Sequence, residues 1–341
     1  MIRAWAPGRV NLIGDHTDHT GGLVLPMAID LGTMITGQPG GDVVALRSPI
    51  EPAPAEVPLD VDDPAAIAPR WARYVAGVVA EVRPASGFVG AVDTTLPVGA
   101  GLSSSAALEV AVALAVGFQG EALALAQACQ RAEQRASGVP CGIMDQLTSA
   151  AGVDGHALRI DCTTLTVQPV PIPSDIDVIV VDSGQRRELA TSAYAERAAA
   201  CQRAQAVLGP LRDATVEDLH HLLDEVERRR ARHVITENRR VADLADALAA
   251  GDRGAMAEAM AASHRSLRDD FEVSTLVLDD LVERLVAVDG VIGARLTGAG
   301  FGGCIVVLAA SGARLPDDLV AWRVRASAGA RIVEGVTSDR Q

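Results

Sequence analysis

Four stretches of this 341-residue chain concentrate groups able to do chemistry. The first is LPVGAGLSSSAALEVA, from Leu96 to Ala111, where Gly99 and Gly101 alternate and Ser103, Ser104 and Ser105 precede an alanine-rich apolar run. With the strand-like FVGAVDTTLP before it, the stretch reads as a strand, a glycine-serine loop and the start of a buried helix. Such a junction gathers unpaired backbone N–H groups at the positive end of a helix dipole, while glycines admit an anion and serines add donors. That is phosphate-binding chemistry, with a plain helix cap as the structural alternative. The second stretch holds Asp15, His16, Asp18 and His19 in a polar loop. D-H-x-D-H offers metal ligands, but neighbours on an extended backbone point to opposite faces. A solvated turn has little need of so many hydrogen-bonding groups; sugar hydroxyls do, because each both donates and accepts. The third, LTGAGFGGC from Leu296 to Cys304, permits positive φ, and reads as a tight β-turn or as a loop closing over a site. The fourth, GVPCGIMDQLTSAAG, sets Asp145 just past a glycine turn, as a helix N-terminal acid or a working carboxylate.

Familiar nucleotide loops do not fit the first stretch. A Walker loop or a protein kinase requires a lysine, and the 30 basic residues here are all arginine. A dinucleotide fingerprint requires a third glycine where Ser104 stands.

The elements that must position these groups follow from periodicity and punctuation. β-prone pieces, Val10 to Ile13 and Leu23 to Met27, flank the Asp/His loop as a hairpin. Residues 39–69 are a Pro- and Asp-rich connection with one strand, Val43 to Arg47. An amphipathic helix begins after Pro69, and Trp71 at its start reads as a packed core ring or a base-stacking face. A helix over Glu121 to Ala136 carries Glu133 and ends at Ser137-Gly138. Strands are expected at His156 to Asp161, Leu165 to Val170 and Asp177 to Asp182, followed by a helical stretch to about residue 265. Within it, Arg228 to Arg232 reads as a solvated helix face rather than a nucleic-acid patch.

Composition sets the bounds. A chain of 341 residues with 49% hydrophobic content accommodates two domains, here 1–172 and 173–341. A net charge of −14 opposes nucleic acid and anionic membranes, so bound polyphosphate must be held by local donors. Five scattered cysteines without a C-x-x-C pair argue against disulfides and a zinc site, and read as buried thiols. With no apolar run of transmembrane length and no apolar leader in MIRAWAPGRVN, a cytoplasmic chain is expected.

The motifs carry a resemblance. PVGAGLSSSA resembles the second motif of the GHMP kinase superfamily, P-x-x-x-G-L-x-S-S-A, and GRVNLIGDHTD resembles the galactokinase signature G-R-x-N-L-I-G-E/D-H-T-D-Y. RWARYVAGV, GVPCGIMDQ, the segment from Ser183 to Cys201 and LTGAGFGGC also resemble galactokinase stretches, in the family's order. The resemblance implies an α+β, two-domain kinase, with a ribosomal-protein-S5-like N-terminal domain and a ferredoxin-like C-terminal one. It implies ATP and Mg²⁺ as cofactors and a small-molecule sugar as substrate. By it, Arg9 lies beside the transferred phosphate and Asp145 is the base; Asp15, His16, Asp18, Gly142 and Tyr194 meet the sugar. Trp71 lies near adenine; Gly99, Gly101, Ser103, Ser104, Ser105 and Gly300 hold the nucleotide, and Ser105 and Glu133 hold Mg²⁺. The departures are Asp15, a shorter acid than the commoner glutamate, and His19 in place of tyrosine, which is expected to open the pocket edge or attract a carboxylate. The activity expected is transfer from ATP to the anomeric hydroxyl of galactose. Alternatives are a kinase for a related sugar (arabinose, galacturonate, N-acetylgalactosamine or another hexose) and a non-catalytic ATP and sugar sensor. A monomer or weak homodimer is expected.

Overall fold

The computed structural model of the chain describes residues 1–97, 99–138, 141–186 and 190–333, with the backbone alone at 190–192 and 194. Strand β1 (Ile2–Asn11) leads into the Asp/His loop, and the chain returns as β2 (Leu23–Val24) and β3 (Pro26–Pro39). Val10 lies opposite Met27 and Asn11 opposite Pro26, so the expected hairpin is present with the polar loop at its tip. β4 (Val43–Arg47) pairs with β5 (Ala55–Pro58), a strand absent from the sequence reading. Prolines 52, 54 and 58 obscure it, and only Ala55 and Val57 turn inward. α1 (Ala72–Val82), β6 (Phe88–Thr94), α2 (Ser104–Ala115), α3 (Ala122–Ser137) and α4 (Met144–Ala151) follow. Then come β7 (His156–Asp161), β8 (Val167–Pro171), β9 (Ile176–Asp182), α5 (Ala190–Leu208), α6 (Glu225–Ala250) and α7 (Arg253–Asp269). The last elements are α8 (Leu276–Val286), β10 (Val291–Thr297), β11 (Cys304–Ala310), β12 (Ala321–Val324) and β13 (Arg331–Ile332).

The first sheet runs β13-β1-β3-β6-β4-β5, with β4 and β6 parallel. Alternate residues Ala4 and Ala6, Val44 and Leu46, and Phe88 and Val92 face one core, in which α2 contributes Val110 and Val112. α2 is apolar nearly all round, which is why it is buried and serves as the central support of the glycine-serine loop. The second sheet runs β10-β11-β9-β12. In β9, Ile179 and Val181 face a core with α8, while Val178 and Val180 face Val10, Leu12, Leu25 and the α6 residues Val241 and Leu244. Both faces are covered, which accounts for the unbroken apolar run of β9.

β8 belongs to a third sheet, β2-β7-β8, and β9 to the second, so the sheet changes between residues 171 and 176. After β12 the chain comes back: β13 pairs with β1, Trp5 opposite Arg331. The tail of the 173–341 segment therefore completes the first sheet.

Two expectations are corrected. The Arg228 to Arg232 cluster is not a solvated face: Arg230 is 2% exposed, and its guanidinium bonds the Asp270 carbonyl and Glu272. Arg229 also meets Glu272 and Arg232 meets Asp270, so acids distant in sequence supply the counter-charges. Of the cysteines, Cys129, Cys201 and Cys304 are buried, but Cys141 and Cys162 are half-buried, Cys141 because it borders a cavity.

Candidate active site

The tip of the β1–β3 hairpin is inside the protein. Elements of the second half hold it: the Gly14 N–H donates to Glu237 Oε1 at 3.1 Å, the Leu23 N–H to Asn238 Oδ1 at 2.7 Å, and His233 Nε2 lies 3.1 Å from the Asp15 carbonyl. The Asp15 carboxylate is 2% exposed; Arg295 Nη2 donates to its Oδ2 at 2.5 Å and the Gly298 N–H to its Oδ1 at 2.8 Å. The shorter acid at this position is thus drawn onto β10 and the glycine loop. His16 takes φ 67° and stacks on Phe271 with ring centroids 4.4 Å apart. Asp18 lies over Gly142, where a Cβ would fall 1.9 Å from its Oδ2, so the approach requires glycine. His19 Nδ1 is 3.4 Å from Asp18 Oδ1. Burial opposes charge on His19, but the carboxylate of Asp18, aided by Cys201, outweighs it and raises the group to about 9. Burial likewise opposes ionisation of Asp18, and His19 outweighs it, holding this carboxyl below its usual value. His19 therefore backs Asp18 and does not form the pocket edge; Asp15, His16 and Asp18 line the cavity.

The glycine-serine loop meets this tip. Gly99, Gly101 and Ser103 take φ 77°, 74° and 57°, turning the chain so that α2 begins at Ser104 with its first N–H groups open. Arg9, 7% exposed, donates from Nε and Nη2 to the two oxygens of Asp145 at 2.7 Å each, and from Nη1 to the Gly101 carbonyl at 2.7 Å. Ser103 also donates to Asp145, which sits in the first turn of α4. The sequence assignments of Arg9, Ser103 and Asp145 therefore converge on one point. A bidentate guanidinium fixes the plane of the carboxylate.

Ser105 Oγ donates to Glu133 Oε1 at 3.0 Å. Burial, then the nearby charge of Asp145, pushes the Glu133 carboxyl up. Among the described residues no set of three or more His, Cys, Asp and Glu converges as a metal cage. Mg²⁺ usually keeps waters and takes one or two protein oxygens with substrate phosphates completing its shell, so a hydroxyl beside a carboxylate fits it.

A cavity of about 660 Å³ runs from Asp15, His16 and Asp18 past Asp145 to Ser105. A second, of about 300 Å³, is lined by Trp71, Leu96 and Leu108; Tyr74, Ser104 and Ser105 border both, so the spaces meet at the glycine-serine loop. Trp71 Nε1 donates to the Ala53 carbonyl at 3.0 Å, which sets the ring. Gly300 does not line the cavity: at φ 78° it packs on Val273, and Gly298 and Ala299 line instead. Tyr194 lies on α5, with its side chain outside the described residues. Sequence reasoning passed over Arg70, Tyr74, Gln146 and Arg186 on the cavity wall, and Glu109 behind it. Glu109 carried a signal, as the single acid of an otherwise apolar helix. Burial, then the charge of Glu133, pushes its carboxyl well up.

The GHMP kinases N terminal domain family matches residues 73–153 and the GHMP kinases C terminal family residues 244–323. The Galactokinase galactose-binding signature matches residues 2–39. Human galactokinase is 46% identical over 322 residues, covering 89% of this chain and 82% of that protein. Galactokinase of Chloroflexus aurantiacus is 45% identical over 329 residues, covering 90% and 84%. The crystal structure of Lactococcus lactis galactokinase complexed with galactose superposes with a TM-score of 0.90 at 31% identity, covering 97% of this chain and 95% of that one. Mevalonate kinase of Methanococcus jannaschii, at 19% identity and TM-score 0.67, shares the fold. The chain belongs to the galactokinase family.

Proposed function

We propose that this chain transfers the terminal phosphoryl group of ATP to the anomeric hydroxyl of D-galactose, giving galactose 1-phosphate and ADP. The observation that carries the reading is the Arg9–Asp145 pair, which sits between the phosphate loop and the polar hairpin tip. Phosphoryl transfer asks the protein for an aligned acceptor oxygen, charge neutralisation and a place for the hydroxyl proton. Asp15, His16 and Asp18, with the Gly142 backbone beside them and Tyr194 by family resemblance, orient the sugar. Asp145 Oδ accepts the anomeric proton, and Arg9 fixes the plane of that carboxylate and offsets charge on the transferring group. Gly99, Gly101 and the serines at 103 to 105 receive the phosphates, Trp71 faces the adenine, and Gly300 holds the turn behind Gly298. Ser105 and Glu133 would hold Mg²⁺, which when bound neutralises the phosphate oxygens.

The change of sheet between β8 and β9 supports a domain boundary near residue 172, with the chain beyond β12 returning to the first domain. A monomer or weak homodimer remains the proposed state, and the need for ATP supports a cytoplasmic setting. The test is ADP release over a panel of galactose, glucose, N-acetylgalactosamine, arabinose and galacturonate. Galactose should give the highest kcat/KM, and Asp145→Asn should bind both substrates yet lose roughly 10²-fold or more in kcat. A preferred sugar other than galactose overturns the substrate, and an Asp145→Asn enzyme within a few-fold of the parent overturns the base.

A further inference from the structure

Behind Glu133 lies a buried polar stack that holding a carboxylate in water would not require. Gln146 follows Asp145 on α4 and is fully buried; its Nε2 donates to Glu133 Oε2 at 2.5 Å and to Glu109 Oε2 at 3.2 Å. Glu109 stands one turn beyond Ser105 on α2 and is itself 0% exposed. The remaining oxygens, Glu109 Oε1 and Gln146 Oε1, are buried without a hydrogen-bond partner among the described residues. Orphaned buried acceptors are uncommon, and apolar side chains of similar volume would fill such a space at no cost to stability. The stack's link to the serine loop runs through Glu133, which accepts from the Gln146 amide on Oε2 and from Ser105 on Oε1.

We propose that Gln146 and Glu109 are positioning residues for the divalent cation: Glu109 holds the Gln146 amide, and the amide turns Glu133 so that Oε1 faces Ser105 and the nucleotide phosphates. The inference rests on the assignment of Ser105 and Glu133 as the cation's protein ligands. It differs from simple packing because an amide with one donor group shared between two carboxyls fixes a rotamer and not only a volume. Outer partners of this kind typically change metal affinity by about 10- to 100-fold.

The experiment is a titration of Mn²⁺ into the full chain saturated with a non-hydrolysable ATP analogue, read by the electron paramagnetic resonance of free Mn²⁺. Gln146→Leu and Glu109→Leu should weaken Mn²⁺ about tenfold or more, with the galactose KM within about twofold of the parent. Glu109→Gln, which keeps the shape and a polar partner for the amide, should restore most of the affinity. A Gln146→Leu curve that superimposes on the parent's overturns the proposal; if that variant does not fold, an unchanged Glu109→Leu curve does so. Glu133→Gln, run alongside, separates the two readings. Weakened binding in Glu133→Gln alone removes the positioning role and keeps the ligand, whereas unchanged binding in Glu133→Gln overturns both.

Discussion

Asp18 and His19 are neighbours in sequence and partners in space, and the pair leaves a pH signature. The folded protein raises His19 from 6.5 to about 9, so it binds that proton more tightly than the unfolded chain. The resulting stabilisation is fully present below pH 6.5 and is lost as pH rises toward 9. Asp18, lowered from 3.8, works at the other end: its contribution is present above that value and lost in acid. Between pH 6.5 and about 9 the melting temperature of the parent should fall more steeply than that of His19→Gln. Parallel curves for the two proteins would remove the ion pair as a source of stability. At this scale much was legible, because a hairpin tip crowded with acids and imidazoles is an unusual use of residues. What anchors it was not. Asp15 meets Arg295 and Gly298 across separations of 280 and 283 positions, and no local pattern announces a contact of that range.

Helix N-termini do most of the positioning. α2 begins at the serine loop and α4 at Met144, with Asp145 in its first turn, so two positive dipole ends bracket the Asp145 carboxylate. The turn before α4 matters as much as the helix, since Gly142 leaves room for Asp18 where any side chain would collide with its carboxylate. Gly142→Ala should displace that carboxylate and raise the galactose KM roughly tenfold, the effect of losing one buried hydrogen bond. The KM for ATP should stay within about twofold; an equal loss in both would mean that the disturbance reaches the phosphate loop. Elements with a clean period or a glycine stop, such as α3 with Gly138 at its end, were readable. β5 was hidden among prolines, and the burial of Arg230 depends on Asp270 and Glu272 arriving from another segment.

The whole molecule is less divisible than its sequence suggests. Val10, Leu12, Leu25 and Met27 from the first half share a core with Val178, Val306, Val241 and Leu244 from the second, and β13 closes the first sheet. A two-domain description was legible from length and strand spacing, but a core assembled from both halves has no signature in either. Residues 1–172 expressed alone should therefore expose that apolar face and fail to give a cooperative thermal transition, while the full chain unfolds in a single step. A soluble 1–172 fragment melting cooperatively would show that the first half folds on its own. The clamping of the hairpin tip by Glu237, His233 and Arg295 has a consequence for how such an enzyme changes its preference among sugars. The contact letters and the bolts that hold them are inherited in separate halves of the polypeptide. Grafting a tip from a relative would then transplant the vocabulary without the grammar, and a selection for new substrates should recover compensating substitutions on α6 and β10, one layer behind Asp15, His16 and Asp18.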